Sequence, residues 1–334
     1  MTQEIAATSD CSVCGSYFRW IDIEQVDLLL DVFVGSSRFG LVCRVNQLNK
    51  RTRASQRHPL RKAELMLRTV EVSGVRFRVA DEGLGPAMLF VHGFPLNHTL
   101  WRAQIDEFSK THRVIAPNLR GFGGTDGTLY SVSMEQFADD LAALLDALAV
   151  EGPVVFCGLS MGGYIAWQFV QRHPTRVAKL IVCDTRAAGD SPEAAANRLK
   201  MADIVLRDGP EPIVWAMMPK LFSQCSSDAS SSDHCPAAIA SVRQMVLNSN
   251  PVAIAAAHRG MAVRPDVTAW LPTLTVPTLV VCGEHDAISP PAEMKAIADA
   301  IPNARFALIE HAGHMAPMEQ PEVVNAVIRG FVSQ

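Results

Sequence analysis

No apolar run in these 334 residues approaches the roughly 18 that a membrane-spanning helix needs, so the pattern predicts no membrane span. Charge of either sign is in short supply. The 30 Lys and Arg against 34 Asp and Glu leave a formal net charge of -4, which gives no electrostatic reason to expect nucleic acid or an anionic membrane as partner. Met1 to Asp10 contains no basic stretch followed by an apolar one, so no secretory signal is predicted and the expected location is the cytoplasm. The eight cysteines form a single C-x-x-C, Cys11 to Cys14, with no second pair at finger-like spacing. The expectation is reduced thiols, with no metal and no cofactor. Internal repeats are also missing. What the chain does have is 49% hydrophobic and 19% charged residues, a balance that suits a globular protein with a large core.

Residues 1–65 differ from the rest. Ile21 to Val34 is apolar enough for one short helix or strand, and Arg44 to Arg68 is basic without apolar periodicity. This segment reads as a solvated extension, poorly ordered or foreign to the natural protein, with Met66 as an alternative start. From there, Val70, Val72, Val75, Phe77 and Val79 alternate about Ser73-Gly74, which predicts a hairpin. Short buried strands are then expected at Met88–Val91, Arg113–Ala116, Val154–Cys157, Leu180–Val182, Leu279–Val281 and Phe306–Ile309. Helices between them include Leu100–Phe108. Another starts at Ser133, spaced with Gln136 as a capping box and carrying Leu141, Leu144, Leu145 and Leu148 on one face. Continuous apolar strands alternating with helices predict an α/β fold with a mostly parallel sheet covered on both faces. Residues 186–268 interrupt the alternation with helix starts at Ser191-Pro192, Cys235-Pro236 and Asn250-Pro251 and a serine-rich connector over Ser223–Asp233. They predict a helical lid inserted between core segments 66–185 and 269–334.

The most informative motif is Gly158-Leu159-Ser160-Met161-Gly162, between an apolar strand and a helix. G-x-S-x-G in that setting is a nucleophile elbow: the chain reverses so sharply at the serine that side chains larger than glycine would collide. The turn presents the hydroxyl at a helix N-terminus, where negative charge is favoured. A serine hydroxyl is too basic to attack a carbonyl unaided; it needs a base, and the base an orienting acid. Elbow enzymes supply these in the order serine, acid, histidine, after successive strands. Gly283-Glu284-His285-Asp286 and His311-Ala312-Gly313-His314 occupy those places.

With His92-Gly93-Phe94-Pro95 and Leu119-Arg120-Gly121-Phe122-Gly123, these motifs resemble the α/β-hydrolase family over residue 66 to the end. The stretches Phe94–Trp101 and Asp184–Ala187 are similar to its carboxylesterase and 3-oxoadipate enol-lactonase branch. The resemblance implies Ser160 as nucleophile, His314 as base and Asp286 as orienting acid, with Asp184 as an alternative acid and His311 as a competing histidine. It implies an oxyanion hole from the backbone N–H groups of Phe94 and Met161. His92 is expected to hold the oxyanion loop. Asn118 stands where relatives often carry Asp. Asn97-His98-Thr99 matches a glycosylation sequon and is read as chance. Leu96, Trp101 and Trp215 are expected to contact substrate, and Arg120, Arg186 and Arg259 are candidates to hold a substrate carboxylate.

The expected activity is cofactor-free hydrolysis of carboxylic esters of small to medium acyl chain, through an acyl-enzyme. The expected partner is a small-molecule ester or lactone. A lactonase and a hydrolase-fold ligand receptor with negligible turnover are the alternatives.

Overall fold

The computed structural model describes the backbone at Trp20–Ile23 and Val26–Leu29, then residues 67–127, 129–223 and 234–334, with side chains of the last segment from residue 236. Cys11, Cys14 and nearly all of the serine-rich connector lie outside the described residues. In a unit of its own, residues 1–63, strand β1 (Trp20–Ile23) pairs antiparallel with β2 (Val26–Leu29).

The second unit, residues 64–334, is built on an eight-stranded sheet. Its strands are β3 (Leu67–Val72), β4 (Val75–Glu82), β5 (Ala87–Val91), β6 (Arg113–Pro117), β7 (Val154–Leu159), β8 (Val177–Cys183), β9 (Thr278–Gly283) and β10 (Ala304–Ile309). The spatial order is β10-β9-β8-β7-β5-β6-β4-β3. The β3–β4 hairpin turns at Ser73-Gly74, both with positive φ, and β4 runs antiparallel to β6; every other pair is parallel. Every residue of β7 and β9 is buried, as expected of central strands covered on both faces, whereas in edge strand β10 only Ile309 is fully buried.

Helices α1 (Arg102–Phe108), α2 (Met134–Ala147) and α3 (Met161–Arg172) connect the first half of the sheet. The three leucines of α2 and Leu148, just beyond its end, are all buried, each such side chain contributing about 1.5–3 kcal/mol. Only half of the capping box forms. Ser133 Oγ accepts the Gln136 N–H, but the Gln136 side chain reaches forward to Asp140 instead of back. The sequon asparagine, Asn97, caps the 3₁₀ turn His98–Trp101 by accepting the Thr99 N–H and hydroxyl.

Between β8 and β9 lie α4 (Pro192–Asp208), α5 (Glu211–Leu221), α6 (His234–Leu247) and α7 (Pro251–Ala262). Ser191 and Asn250 cap α4 and α7 as their sequences suggest. Helix α6 instead begins at His234, so Pro236 sits inside its first turn, where a missing N–H is tolerated. Ser249 Oγ donates to Pro95 O at 2.7 Å and Ala253 packs on Gly121, which seats α7 against the loops after β5 and β6. The chain finishes with α8 (Pro291–Ala300), α9 (Ala316–Glu319) and α10 (Pro321–Val332). Among the described residues, no helix is long and apolar enough to cross a membrane.

Candidate active site

Sheet register levels four strand ends. Leu159 pairs with Cys183, Cys183 with Val281, and Gly283 with Ile309. The segments that follow β7, β8, β9 and β10 therefore leave from one rim, and they carry Ser160, Asp184, Asp286 and His314.

Ser160 has φ 53° and ψ −113°, a left-handed conformation rare for a residue with a side chain, and heads α3. The flanking glycines are sterically required. A Cβ on Gly158 would strike Gly162 O, and one on Gly162 would strike Val91 O. The turn is braced on both sides: Ser160 N–H donates to Cys183 O at 2.9 Å, and Thr185 Oγ1 donates to Ser160 O at 2.7 Å. Across the rim, a Cβ on Gly93 would come within 3.2 Å of Ser160 Cβ, so the loop after β5 passes directly beside the serine. Phe94 follows that glycine, and Met161 is the first residue of α3, whose opening N–H groups have no intrahelical acceptor.

His314 and Asp286 are buried, with His314 Nδ1 2.9 Å from Asp286 Oδ2. The other carboxylate oxygen, Oδ1, accepts the N–H groups of Ile288 at 2.7 Å and Ser289 at 3.0 Å. The carboxylate is thus fixed in orientation, and Nε2 is left as the free ring nitrogen of His314. His311, by contrast, is exposed, with its backbone N–H donating to Glu284.

Asp184 is the second buried carboxyl at this rim. One oxygen accepts the Gly283 N–H at 2.8 Å; the other has no partner among the described residues. Burial, then the neighbouring Asp286 carboxylate, push its carboxyl well above the usual carboxylate range, which favours the neutral form. It makes no contact with His314 among the described hydrogen bonds, whereas Asp286 does.

His92 lies fully buried between the two loops. It accepts the Leu119 N–H at Nε2 (2.9 Å) and therefore carries its proton on Nδ1, which donates to Gly93 O (2.9 Å). Burial lowers its pKa to about 4. As expected, it clamps the loop carrying Phe94 to the loop after β6. Asn118 reinforces the clamp: Oδ1 accepts the His98 N–H at 2.8 Å and Nδ2 donates to Gly123 O at 2.7 Å, a donation no carboxylate could make.

Sequence reasoning missed Glu319. Its Oε1 accepts the N–H groups of Gly313 (2.9 Å) and Met315 (3.2 Å), the two neighbours of His314. Its Oε2 accepts the N–H and hydroxyl of Ser223, just beyond α5, at 2.9 and 2.8 Å. One buried carboxylate thus ties the histidine loop to the helical insertion, and burial raises its pKa. The spacing of Glu319 five residues beyond His314 carries no local signal by itself.

Two groups of described residues place possible metal-ligand atoms within 4.8 Å of one another. The Glu284, His285 and His311 group is largely exposed, and Glu284 is already committed to His311 N–H. In the buried Asp184, Cys282 and Asp286 group, burial pushes the Cys282 thiol up, away from the thiolate a metal needs.

The sequence matches the alpha/beta hydrolase family over residues 88–327. The chain belongs to that family. A thermophilic esterase from Thermogutta terrifontis, solved with malate bound, is 44% identical, covers 80% of this chain and 98% of its own, and superposes with a TM-score of 0.75. The enol-lactonase of Burkholderia xenovorans LB400 is 25% identical, with coverage of 79% and 98% and a TM-score of 0.71. The 3-oxoadipate enol-lactonase 2 of Acinetobacter baylyi is 25% identical over 273 residues, 82% of this chain and 97% of its own.

Within this alpha/beta hydrolase, two residues expected to contact substrate differ in exposure. Trp101 is wholly buried, its ring centroid 5.2 Å from that of Phe90, and belongs to the core between α1 and the sheet. Trp215 is 76% exposed on α5, whose buried face carries Ile213 and Val214 instead. An aromatic residue in a helical stretch does not reveal which face it takes. Leu96 is buried two residues beyond Phe94 on the loop beside Ser160.

The three candidate cations are committed to protein partners. Arg120 is bidentate on Asp140, at 2.7 and 2.5 Å. Arg186 donates to Ile288 O and lies 3.5 Å from Glu293. Arg259 stacks 4.0 Å from the Tyr130 ring and bonds Asp203.

Proposed function

We propose that the protein is a serine hydrolase that cleaves carboxylic esters of small to medium acyl chain through an acyl-enzyme at Ser160. The observation that carries this reading is the left-handed Ser160 at the head of α3, on the same rim as the buried His314–Asp286 pair.

Ser160 Oγ attacks the ester carbonyl while His314 Nε2 takes its proton. Asp286, accepting from Nδ1–H, holds the imidazole in the tautomer that leaves Nε2 basic and stabilises the imidazolium that forms. The tetrahedral oxyanion is met by the N–H groups of Phe94 and Met161 and by the N-terminus of α3. Collapse expels the alcohol, protonated by the imidazolium. Water, deprotonated by His314, then releases the acid and regenerates Ser160. The substrate is a small molecule, and the reaction needs no cofactor.

The second reading is an enol-lactonase, favoured by the two enol-lactonase relatives. The esterase relative at 44% identity and the engagement of Arg120, Arg186 and Arg259 by protein groups support the ester reading over a substrate with a free carboxylate.

The test is turnover of p-nitrophenyl acetate, butyrate and octanoate beside an enol-lactone, for wild type and Ser160→Ala. Fast, serine-dependent ester turnover is expected. Lactone preference would move the protein to the second reading. A burst of one equivalent without cycling would mark a ligand receptor instead.

A further inference from the structure

His258, on α7, is 7% exposed, yet neither Nδ1 nor Nε2 has a hydrogen-bond partner among the described residues. Leaving a buried polar atom unpaired costs about 1–3 kcal/mol. Buried side-chain polar atoms are paired in the large majority of cases, and two orphans on one ring point to a missing partner.

The place of the ring says what that partner is. On one side, the imidazole meets Phe94 edge-on, with ring centroids 4.6 Å apart. Phe94 is next to Gly93, where a Cβ would stand 3.2 Å from Ser160 Cβ. The imidazole therefore packs on the residue that follows Gly93 in the loop beside the serine. On the other side is α4, with Arg198 paired to Asp190 and touching Met261 Sδ at 3.5 Å. Nearer the loop, Phe122 packs edge-on to Phe94 and Leu96 is buried, so the surroundings of Phe94 are mainly apolar. Burial, then the Arg198 charge, lower the His258 pKa to about 3, so the ring is neutral with one N–H and one lone pair. A neutral ring offers a carboxylate no charge. Its N–H suits an uncharged acceptor.

We propose that His258 is a specificity residue of the substrate pocket, donating its N–H to an uncharged ether, hydroxyl or keto oxygen carried by the ester away from the scissile carbonyl. The proposal rests on the Ser160 reading. It narrows the substrate class from plain alkyl esters to oxygen-substituted ones. A site built to hydrogen-bond a substrate oxygen discriminates against the analogue lacking it, because the buried polar group is then left unpaired.

Two isosteric pairs test it, each exchanging one CH₂ for an ether oxygen. They are p-nitrophenyl pentanoate against 3-methoxypropanoate, for the acyl side, and butyl against 2-methoxyethyl acetate, for the alcohol side. kcat/KM is measured for wild type, His258→Leu, His258→Phe and His258→Gln. In at least one pair, the ether-to-alkyl ratio should fall about tenfold or more in Leu and Phe and be largely kept in Gln, which retains an N–H donor. Equal ratios in wild type and the apolar variants for both pairs, or equal losses on both members, would overturn the proposal and assign the ring a bound water only. If the apolar variants do not fold, ring ¹⁵N shifts of His258 in the Ser160→Ala protein decide. They should move with the ether ester and not with its alkyl twin; identical responses would overturn the proposal. Persistent turnover in Ser160→Ala would sink the esterase reading itself, whereas serine-dependent turnover with unchanged ratios would sink only the role of His258.

Discussion

Asp286→Asn and Asp184→Asn should separate sharply, although the two carboxyls share one buried rim. Asp286 Oδ1 accepts two backbone N–H groups, from Ile288 and Ser289, and Oδ2 accepts from His314 Nδ1 at 2.9 Å. An asparagine must keep its carbonyl oxygen on the two backbone donors, because turning the amide would set its NH₂ against both. The NH₂ then faces His314 Nδ1, which can only accept, and the imidazole proton moves to Nε2. In that tautomer Nε2 cannot take the serine proton. The expected loss in kcat is about 10⁴-fold, or about 5.5 kcal/mol of transition-state stabilisation. Asp184 is different: burial pushes its carboxyl toward the neutral form, with one oxygen on the Gly283 N–H and the other without a partner among the described residues, so asparagine is a close mimic. Its kcat should stay within about threefold of wild type. The same raised pKa makes a stability claim. A carboxyl whose folded pKa lies above its unfolded value stabilises the fold at low pH and loses that contribution as pH rises. Asp184→Asn should therefore gain stability relative to wild type at pH 8 compared with pH 4. Steady-state kinetics on p-nitrophenyl butyrate, with urea melts at the two pH values, decide the matter. Activity loss in Asp184→Asn equal to that in Asp286→Asn would refute the assignment of the acid.

Glu319→Gln should lower kcat about 10- to 100-fold and reduce the urea midpoint, because its NH₂ must face either the Gly313 and Met315 donors or those of Ser223; unchanged kcat would show that the histidine loop holds itself. Asp190→Ala should destabilise by about 3–5 kcal/mol in urea unfolding, since it strips the buried Arg264 of its carboxylate, and a loss under about 1 kcal/mol would contradict this. His92 and His258, with pKa values lowered to about 4 and about 3, are neutral when folded and must charge on unfolding in acid. Their stabilisation is present above about pH 6.5 and is lost as pH falls toward the folded values, at about 1.4 kcal/mol per pH unit for each. Between pH 6.5 and 4.5 the raised Asp184 and Glu319 carboxyls work in the opposite sense, so the wild-type urea midpoint should fall relative to that of His258→Leu over this range; parallel profiles would refute the buried, neutral state of His258.

What was legible in the sequence was what sterics or pleat impose locally. Gly158 and Gly162 flank Ser160 because a Cβ at either would strike backbone, a constraint written in three fixed positions. The valine-rich runs of β7 and β9 are buried on both faces and read as such. The His314 and Asp286 loops were found from the order in which such groups follow strands. What stayed hidden depends on contacts remote in sequence. Glu319 acts through Ser223, 96 residues away. Arg264 and Asp190 are 74 residues apart, and nothing near either names the other. Trp101 is buried and Trp215 exposed according to which face of each element packs against its neighbours, which neither local sequence encodes.

The central claim, a covalent acyl-enzyme on Ser160, is tested most directly by rapid-quench mass spectrometry after mixing with p-nitrophenyl butyrate. The account predicts a transient gain of one butyryl group on the peptide containing Ser160, absent in Ser160→Ala. Turnover with no adduct on Ser160, or an adduct on another residue, would contradict it.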